Sequence, residues 1–261
     1  MSRKMILASW GFHAPETIEK CVEFVGKPKS EINFAVINEA YAVERGGHRW
    51  VIDDLNSVAN NFGGVIDIVD LLSLNLDKVV ERINAADVIF VLGGNTDYLM
   101  KVFQETGFDK VLPELLETKV YVGSSAGAQV IGRRTSQKVI TDIYQEIEYV
   151  DKWLELVDVE ILPHLHGQFF DRKDRIGSDN IEWIAEEGLS VGCPVYAISD
   201  SAAVVVDGDD IYTIGSDTIE MTGQKMSLSD EADKEELIAT GKVELVKTID
   251  RFMTSTKKED K

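Results

Sequence analysis

The pentapeptide GSSAG at residues 123–127 is the clearest candidate for chemistry in this chain, because it fits the pattern G-x-S-x-G. Residues 120–122 before it have strand character, and residues 128–131 after it can begin a helix. A sharp turn from strand to helix exposes the central hydroxyl, and the helix N-terminus favours developing negative charge. We predict that Ser125 is a nucleophile and that the off-centre Ser124 is not. The alternative is a turn that permits close packing or binds a phosphate.

A second glycine-rich loop, Gly93-Gly94-Asn95, follows the strand-like residues 88–92. Ligands gather at the carboxyl ends of strands in open α/β sheets, and glycines let backbone N–H groups approach a ligand closely. The N–H groups of Gly94 and Ala126 are therefore candidates for an oxyanion hole. Asn95 is a candidate for substrate binding, with capping of the following helix as the alternative.

A serine nucleophile needs a base, and the chain offers His13, His48, His164 and His166. His164 and His166 follow the strand-like residues 157–162, so they can lie at the same edge of the sheet as the nucleophile. His164 is our candidate base and His166 its rival. Metal binding by this His-x-His pair is the alternative. We interpret His13 and His48 as surface histidines.

The third group of such a site is an acid that orients the histidine and stabilises its charged form. Asp200 follows the strand-like residues 195–198 and has small neighbours. We predict that Asp200 has this role, with Asp142 and Asp171 as rivals. We expect no metal and no cofactor.

The elements that must position these groups alternate along the first 132 residues. Short Val- and Ile-rich runs are typical of buried parallel strands, and segments with apolar spacings of three and four are typical of helices. The strands are predicted at residues 5–8, 34–37, 65–69, 88–92 and 120–122, with helices around 18–25, 51–62 and 76–83. This order predicts a doubly wound, mostly parallel α/β sheet.

The alternation of strands and helices becomes less regular after Gly132. Strands are predicted at 157–162 and 195–198, a helix at 175–187, and a small β-hairpin at 204–206 and 211–214 around a Gly-containing polar turn. Residues 254–261 have no apolar side chain, so we predict a frayed tail there and a single domain over 1–253.

Composition narrows the function classes. With 46 acidic against 27 basic residues, the formal charge is -19. This charge disfavours nucleic acid and anionic membranes as partners. Two cysteines are too few for a disulfide scaffold or a zinc-thiolate site. The apolar run at the N-terminus is shorter than a signal peptide needs, and no run is long enough to span a bilayer, so we expect a cytoplasmic protein.

Taken together, these segments resemble the peptidase E (aspartyl dipeptidase) family of serine peptidases, which includes the cyanophycinases. The resemblance spans about residues 5–206 and is carried by the glycine loop, the GSSAG turn, Pro163-His164, Arg172 and Arg175-Ile176. It implies a class I glutamine-amidotransferase-like, flavodoxin-like sandwich and a Ser-His-Glu triad that removes N-terminal aspartate from dipeptides or cleaves β-aspartyl-arginine polymer.

Position by position, the resemblance implies that Ser125 is the nucleophile, that Gly94 and Ala126 are the oxyanion donors and that Asn95 binds substrate. His164 and His166 both lie where the family has its histidine. Asp200 lies where the family usually has Glu. Arg172 corresponds to the arginine that meets the substrate's aspartate carboxylate, and its alternative is a surface charge at a helix start.

We therefore expect a serine peptidase that acts on small peptides with N-terminal Asp through an acyl-enzyme. The alternatives are a cyanophycinase-like β-aspartyl peptidase and a non-catalytic, amidotransferase-like protein that binds a small molecule. The resemblance allows a monomer or a homodimer. Since the overall charge repels an acidic substrate, recognition needs a local positive pocket, for which Arg172 with Arg175 or Arg133 is available.

Overall fold

Parallel strands form the centre of the fold, as seen in a computed structural model that describes residues 3–137, 139–140, 149–165, 187, 191–216, 218–222 and, for the backbone, 225–228. The strands are β1 (Lys4–Ala8), β2 (Phe34–Ile37), β3 (Ile66–Ile68), β4 (Val88–Val91), β5 (Val120–Ser124), β6 (Glu160–Leu162), β7 (Val195–Ile198), β8 (Ala203–Asp207), β9 (Asp210–Ile214), β10 (Thr218–Thr222) and β11 (Lys225–Leu228). The helices are α1 (Pro15–Val25), α2 (Arg49–Asn61), α3 (Leu76–Asn84), α4 (Thr96–Thr106), α5 (Phe108–Leu115) and α6 (Ala126–Gln129), with 3₁₀ turns at Lys29–Glu31 and Glu39–Val43.

The main sheet has seven strands in the order β3-β2-β4-β5-β1-β8-β9, and its first five are parallel. If β2, β3, β4, β5 and β1 are renumbered 1 to 5, the spatial order of these strands is 2-1-3-4-5, which is the order found in flavodoxin. The doubly wound α/β class predicted from the sequence is confirmed, and so are the five predicted strands. Because the strands are parallel, their carboxyl ends lie at one edge of the sheet.

Side chains alternate between the two faces of this sheet, as the strand period requires. Ile6, Phe34 and Phe90 face one way and pack with α1 and α2. Met5 and Ile89 face the other way and pack with α3, α4 and α5. With helices covering both faces, all four residues of β4 are buried, which explains the unbroken apolar runs in the sequence.

The predicted hairpin is confirmed as β8 and β9, which pair antiparallel around a turn with Gly208 at φ +66°. It continues the main sheet, because β8 pairs antiparallel with β1. The chain leaves β7 immediately before this hairpin. Asp200 is therefore tied to the end of β1 by the register of β8.

A second sheet, in the order β11-β10-β7-β6, was not predicted. The strands at 157–162 and 195–198 exist, the first shortened to Glu160–Leu162, but they do not enter the main sheet. Instead, β6 pairs with β7, and β7 pairs with β10 on its other side. Ile161 and Ile198 pack into the same core as α4 and α5. The predicted helix at 175–187, apart from residue 187, and the predicted tail at 254–261 lie outside the described residues.

Among the residues that the structure describes, no helix is both long and apolar enough to cross a membrane.

Candidate active site

Ser125 lies at the carboxyl end of β5, at the turn into α6. Its backbone has φ 50° and ψ −110°, a left-handed conformation that costs a non-glycine residue roughly 1–3 kcal/mol. Its N–H donates to the Ala8 carbonyl (3.0 Å), and its carbonyl accepts from the N–H groups of Ala128 and Gln129. The turn is therefore fixed on both sides, with β1 on one side and the first turn of α6 on the other.

The glycines of the GSSAG segment are required by close backbone approach. A Cβ on Gly127 would lie 2.1 Å from the Val91 carbonyl oxygen, and one on Gly123 would lie 2.3 Å from the Gly127 carbonyl oxygen. Larger residues at either position would push α6 away from β4 and β5. Close packing around the half-buried Ser125 thus explains why both positions are glycine.

His164 follows β6 and faces Ser125. Its Nε2 lies 3.0 Å from the Ser125 Oγ. Its backbone also has a positive φ, 64°, and its N–H donates to the hydroxyl of Ser9 (2.8 Å). His166, the rival base in the sequence, lies outside the described residues.

Asp200 follows β7 and faces the other side of the same imidazole. Its Oδ1 lies 2.6 Å from the His164 Nδ1, so a side chain as short as aspartate reaches the ring. Burial raises the pKa of Asp200, but hydrogen bonds from His164 and Ser9 and the charges of His164 and His13 outweigh it and hold the pKa below its usual range. Asp142 and Asp171, the rival acids, lie outside the described residues.

This chain of hydrogen bonds can move a proton. An ionised Asp200 accepts the Nδ1–H of His164, which leaves the Nε2 lone pair directed at the Ser125 hydroxyl. The imidazole can then take the hydroxyl proton as the oxygen attacks an electrophile, and the carboxylate stabilises the resulting imidazolium. The arrangement is suited to nucleophilic acyl transfer.

The glycine loop after β4 borders the nucleophile. A Cβ on Gly93 would lie 3.1 Å from the Ser125 Cβ and 3.6 Å from its Oγ. Gly94 has φ +130°, where a Cβ would lie 2.4 Å from the Ala40 carbonyl group. In the part of the chain that the structure describes, no hydrogen bond occupies the N–H of Gly94 or of Ala126. The role of both residues as oxyanion donors stays a prediction.

Asn95 caps the N-terminus of α4, which is the predicted alternative to substrate binding. Its Oδ1 accepts from the Tyr98 N–H (2.7 Å) at the start of α4, and the residue is buried. A part in substrate binding stays a prediction for its amide nitrogen. Two residues on, the buried Asp97 accepts hydrogen bonds from the guanidinium of Arg134 and from the Trp153 indole (2.7 Å). These bonds tie the segment after α6 to the glycine loop.

Three residues near the site were not selected from the sequence. Ser9, at the end of β1, bonds both His164 and Asp200. The buried Asp54 on α2 accepts from the Ser124 Oγ (2.9 Å), and its other oxygen lies 3.4 Å from the Nε2 of His13. His13 is on the surface as predicted, but its ring stacks on Trp10 and its charge acts on Asp200. The strand-end rule that selected Ser125 applies equally to Ser9.

The remaining residues considered from the sequence either lie outside the described residues or bond other partners. Arg172 and Arg175 lie outside the described residues. Arg133 forms an ion pair with Asp158 at the surface, so it is engaged elsewhere. His48 bonds the Glu44 carbonyl (3.2 Å). Within the described ranges, no group of three or more His, Cys, Asp or Glu residues could hold a metal ion.

The sequence and the fold have counterparts in known proteins. The sequence profile of peptidase family S51 matches residues 6–214. An uncharacterised peptidase of Listeria monocytogenes is 26% identical over 156 residues, 59% of this chain and 72% of that protein. An uncharacterised peptidase of Pasteurella multocida is 25% identical over 165 residues, 62% of this chain and 77% of that protein.

Solved structures agree at the level of the fold. The crystal structure of a candidate peptidase E protein from Listeria monocytogenes matches with a TM-score of 0.64 at 21% identity, over 83% of this chain and all of that one. A peptidase from an acI-B1 actinobacterium matches with a TM-score of 0.57 at 17% identity, over 87% of this chain and 97% of that one. Because the profile spans most of the sequence, this protein belongs to peptidase family S51 and is a serine-type peptidase.

Proposed function

We propose that this protein removes N-terminal aspartate from small peptides through an acyl-enzyme on Ser125. The observation that carries the proposal is the continuous contact from Ser125 Oγ through His164 to Asp200, with distances of 3.0 and 2.6 Å. Both distances lie within hydrogen-bond range, so proton transfer needs no rearrangement of the three side chains.

The reaction proceeds in two half-reactions. His164 Nε2 takes the Ser125 proton while the oxygen bonds to the peptide carbonyl carbon, and the carbonyl oxygen becomes an oxyanion over the N–H groups of Gly94 and Ala126. The imidazolium then gives its proton to the leaving amine, and the C–N bond breaks. Water, deprotonated by His164, attacks the ester in the same way and releases the acid and the serine.

The preference for N-terminal aspartate rests on the resemblance to the aspartyl dipeptidases and on Arg172. A planar guanidinium binds a carboxylate through two parallel hydrogen bonds. Since the chain carries a formal charge of -19, such a residue has to act locally against the field of the whole molecule.

The nucleophile is tested by Ser125→Ala. We expect the variant to lose hydrolysis of Asp-Leu by a factor of about 10³ or more and to lose labelling by a fluorophosphonate, because no hydroxyl remains to attack. Retained hydrolysis would show that another group attacks the peptide. If the wild type binds the peptide but is not labelled by the fluorophosphonate, the alternative of a non-catalytic binding protein is favoured.

The specificity is tested by Arg172→Ala, with Arg133→Ala as a control in which a surface-paired arginine is lost. We expect the first variant to lose kcat/KM for Asp-Leu while kcat/KM for Ala-Leu stays unchanged, and the control to change neither. An equal effect of Arg172→Ala on both peptides contradicts the role of Arg172. Faster cleavage of β-Asp-Arg than of α-Asp-Leu by the wild type favours the cyanophycinase-like activity.

A further inference from the structure

The end of β1 contacts every segment that carries a member of the proposed triad. Ala8 pairs with Ser124 of β5 on one side and with Ala203 of β8 on the other. Its carbonyl accepts the N–H of Ser125. The next residue, Ser9, therefore lies where the nucleophile, the base and the acid converge, although it is 155 residues from His164 and 191 from Asp200 in sequence.

The hydroxyl of Ser9 has three neighbours in the triad: the N–H of His164, the Oδ1 of Asp200 and, at 3.4 Å, the Nδ1 of His164. It accepts the backbone N–H of His164 at 2.8 Å, so a lone pair is used there. Its own proton goes to the Oδ1 of Asp200 at 2.9 Å, because an ionised carboxylate can only accept. The same Oδ1 also accepts the hydrogen bond from the Nδ1–H of His164. Ser9 thus holds the backbone of the base and the carboxylate of the acid at once.

Both groups need such a restraint. His164 has a left-handed backbone with φ 64°, which is unfavourable without a compensating contact. The Asp200 side chain is 41% exposed, so water can compete for its carboxylate. Ser9 itself is completely buried, which excludes it from contact with substrate in this conformation.

We propose that Ser9 is a positioning residue of the triad: its hydroxyl fixes the His164 backbone and the Asp200 carboxylate so that the imidazole faces Ser125. The inference rests on the proposed function. Without the hydroxyl, the hydrogen bond from the N–H of His164 to Ser9 is lost and Asp200 can turn toward water. The imidazole is then held toward Ser125 for a smaller fraction of the time, which lowers the rate of acylation but not substrate binding.

The test compares Ser9→Ala and Ser9→Cys with Ser199→Ala. Cysteine keeps a side chain of similar size but is a weaker donor. Ser199 is a buried serine next to Asp200 whose hydroxyl bonds Ser201 and the Ser216 carbonyl instead of the triad. For Asp-Leu we expect kcat to fall about 10- to 100-fold in Ser9→Ala and less in Ser9→Cys, with KM changed less than about threefold. The Ser199→Ala control should match the wild type.

A second readout reports on Ser125 directly. Without the Ser9 hydroxyl, the imidazole of His164 is held toward Ser125 for a smaller fraction of the time, so fluorophosphonate labelling of Ser125 in Ser9→Ala should slow in parallel with kcat. Labelling needs no dipeptide, so it reports on Ser9 even if the peptide substrate is a different one.

The outcomes are distinct. A wild-type rate and labelling in Ser9→Ala, or an equal loss in Ser199→Ala, overturns the positioning role while leaving the proposed function intact. Failure of Ser125→Ala to lose activity overturns the proposed function instead. If Ser9→Ala does not fold, Ser9→Cys carries the test, and a rate and labelling equal to the wild type would then overturn the inference.

Discussion

At the scale of single residues, the two adjacent serines of the GSSAG turn have opposite surroundings. Ser125 Oγ faces His164, whereas Ser124 Oγ points into the core and donates to the buried Asp54. Successive residues of a strand face opposite sides of the sheet, which accounts for this division. One hydroxyl is free for chemistry and the other satisfies a buried carboxylate.

Replacing Ser124 should therefore affect stability rather than catalysis. In Ser124→Ala the carboxylate of Asp54 loses a hydrogen bond, so we expect the free energy of unfolding to fall by about 1–3 kcal/mol. Urea unfolding measures this loss. The kcat for Asp-Leu should stay within about fivefold of the wild type, and a loss as large as that of Ser125→Ala would contradict the division of roles between the two serines.

Glu160 gives stability a pH dependence. Burial, and then the negative charge of the nearby Glu187, raise the pKa of Glu160 well above its usual range. The folded state therefore prefers the protonated form. The contribution of Glu160 to stability is therefore fully present below the ordinary glutamate range and is lost as pH rises through the raised pKa.

The variant Glu160→Gln mimics the protonated side chain at every pH. We expect its free energy of unfolding to exceed that of the wild type by an amount that grows from pH 5 to pH 9, as measured by urea unfolding. Glu117→Gln, at an exposed glutamate, is the control and should leave the slope with pH unchanged. A difference that stays constant with pH would mean that Glu160 is already ionised in the folded protein.

At the scale of elements, the site depends on how closely α6 approaches β4. Gly127 is the contact point, with no room for a Cβ beside the Val91 carbonyl. The same turn starts α6 and sets the direction of the Ala126 N–H. The close approach of α6 to β4 is therefore needed both for packing of the helix and for formation of the proposed oxyanion hole.

The variant Gly127→Ala tests this dependence. The added methyl must displace α6 from β4, so we expect a loss of about 1–3 kcal/mol in the free energy of unfolding together with a lower kcat. The control is Gly47→Ala, where a Cβ has no neighbour within 4 Å. The control should change stability by less than about 0.5 kcal/mol. Equal stability of the two variants would show that α6 accommodates the methyl.

At the scale of the whole molecule, the net charge of -19 acts on any acidic substrate. At neutral pH an Asp-Leu dipeptide carries one net negative charge and Ala-Leu carries none. Repulsion should therefore slow the encounter with the first peptide and leave the second unaffected. Salt screens this repulsion over distances of about 10 Å at 0.1 M.

We expect kcat/KM for Asp-Leu to rise a few-fold between about 10 and 150 mM salt, while that for Ala-Leu stays flat, because screening reduces long-range repulsion. Steady-state kinetics over a salt series measure both. A decrease for Asp-Leu would indicate that the positive charge around the site dominates the field that the substrate meets on approach.

Much of this molecule follows from local sequence patterns. Val- and Ile-rich runs define the five parallel strands, and Gly208 within a polar turn defines the β8–β9 hairpin. The GSSAG segment between a strand and a helix indicates the turn that carries Ser125. These features depend on side-chain period and on backbone conformations that glycine favours, which are properties of neighbouring residues.

The tertiary structure decided which distant residues meet. His164, the candidate base, and its rival His166 follow the same strand in the sequence, and the fold places the Nε2 of His164 3.0 Å from the Ser125 Oγ. Pairing of β6 and β7 in a second sheet, and the link between Ser9 and Asp200 across 191 residues, depend on strand register and sheet order. Such long-range contacts are fixed by the packing of the whole chain, so no local pattern in the sequence specifies them.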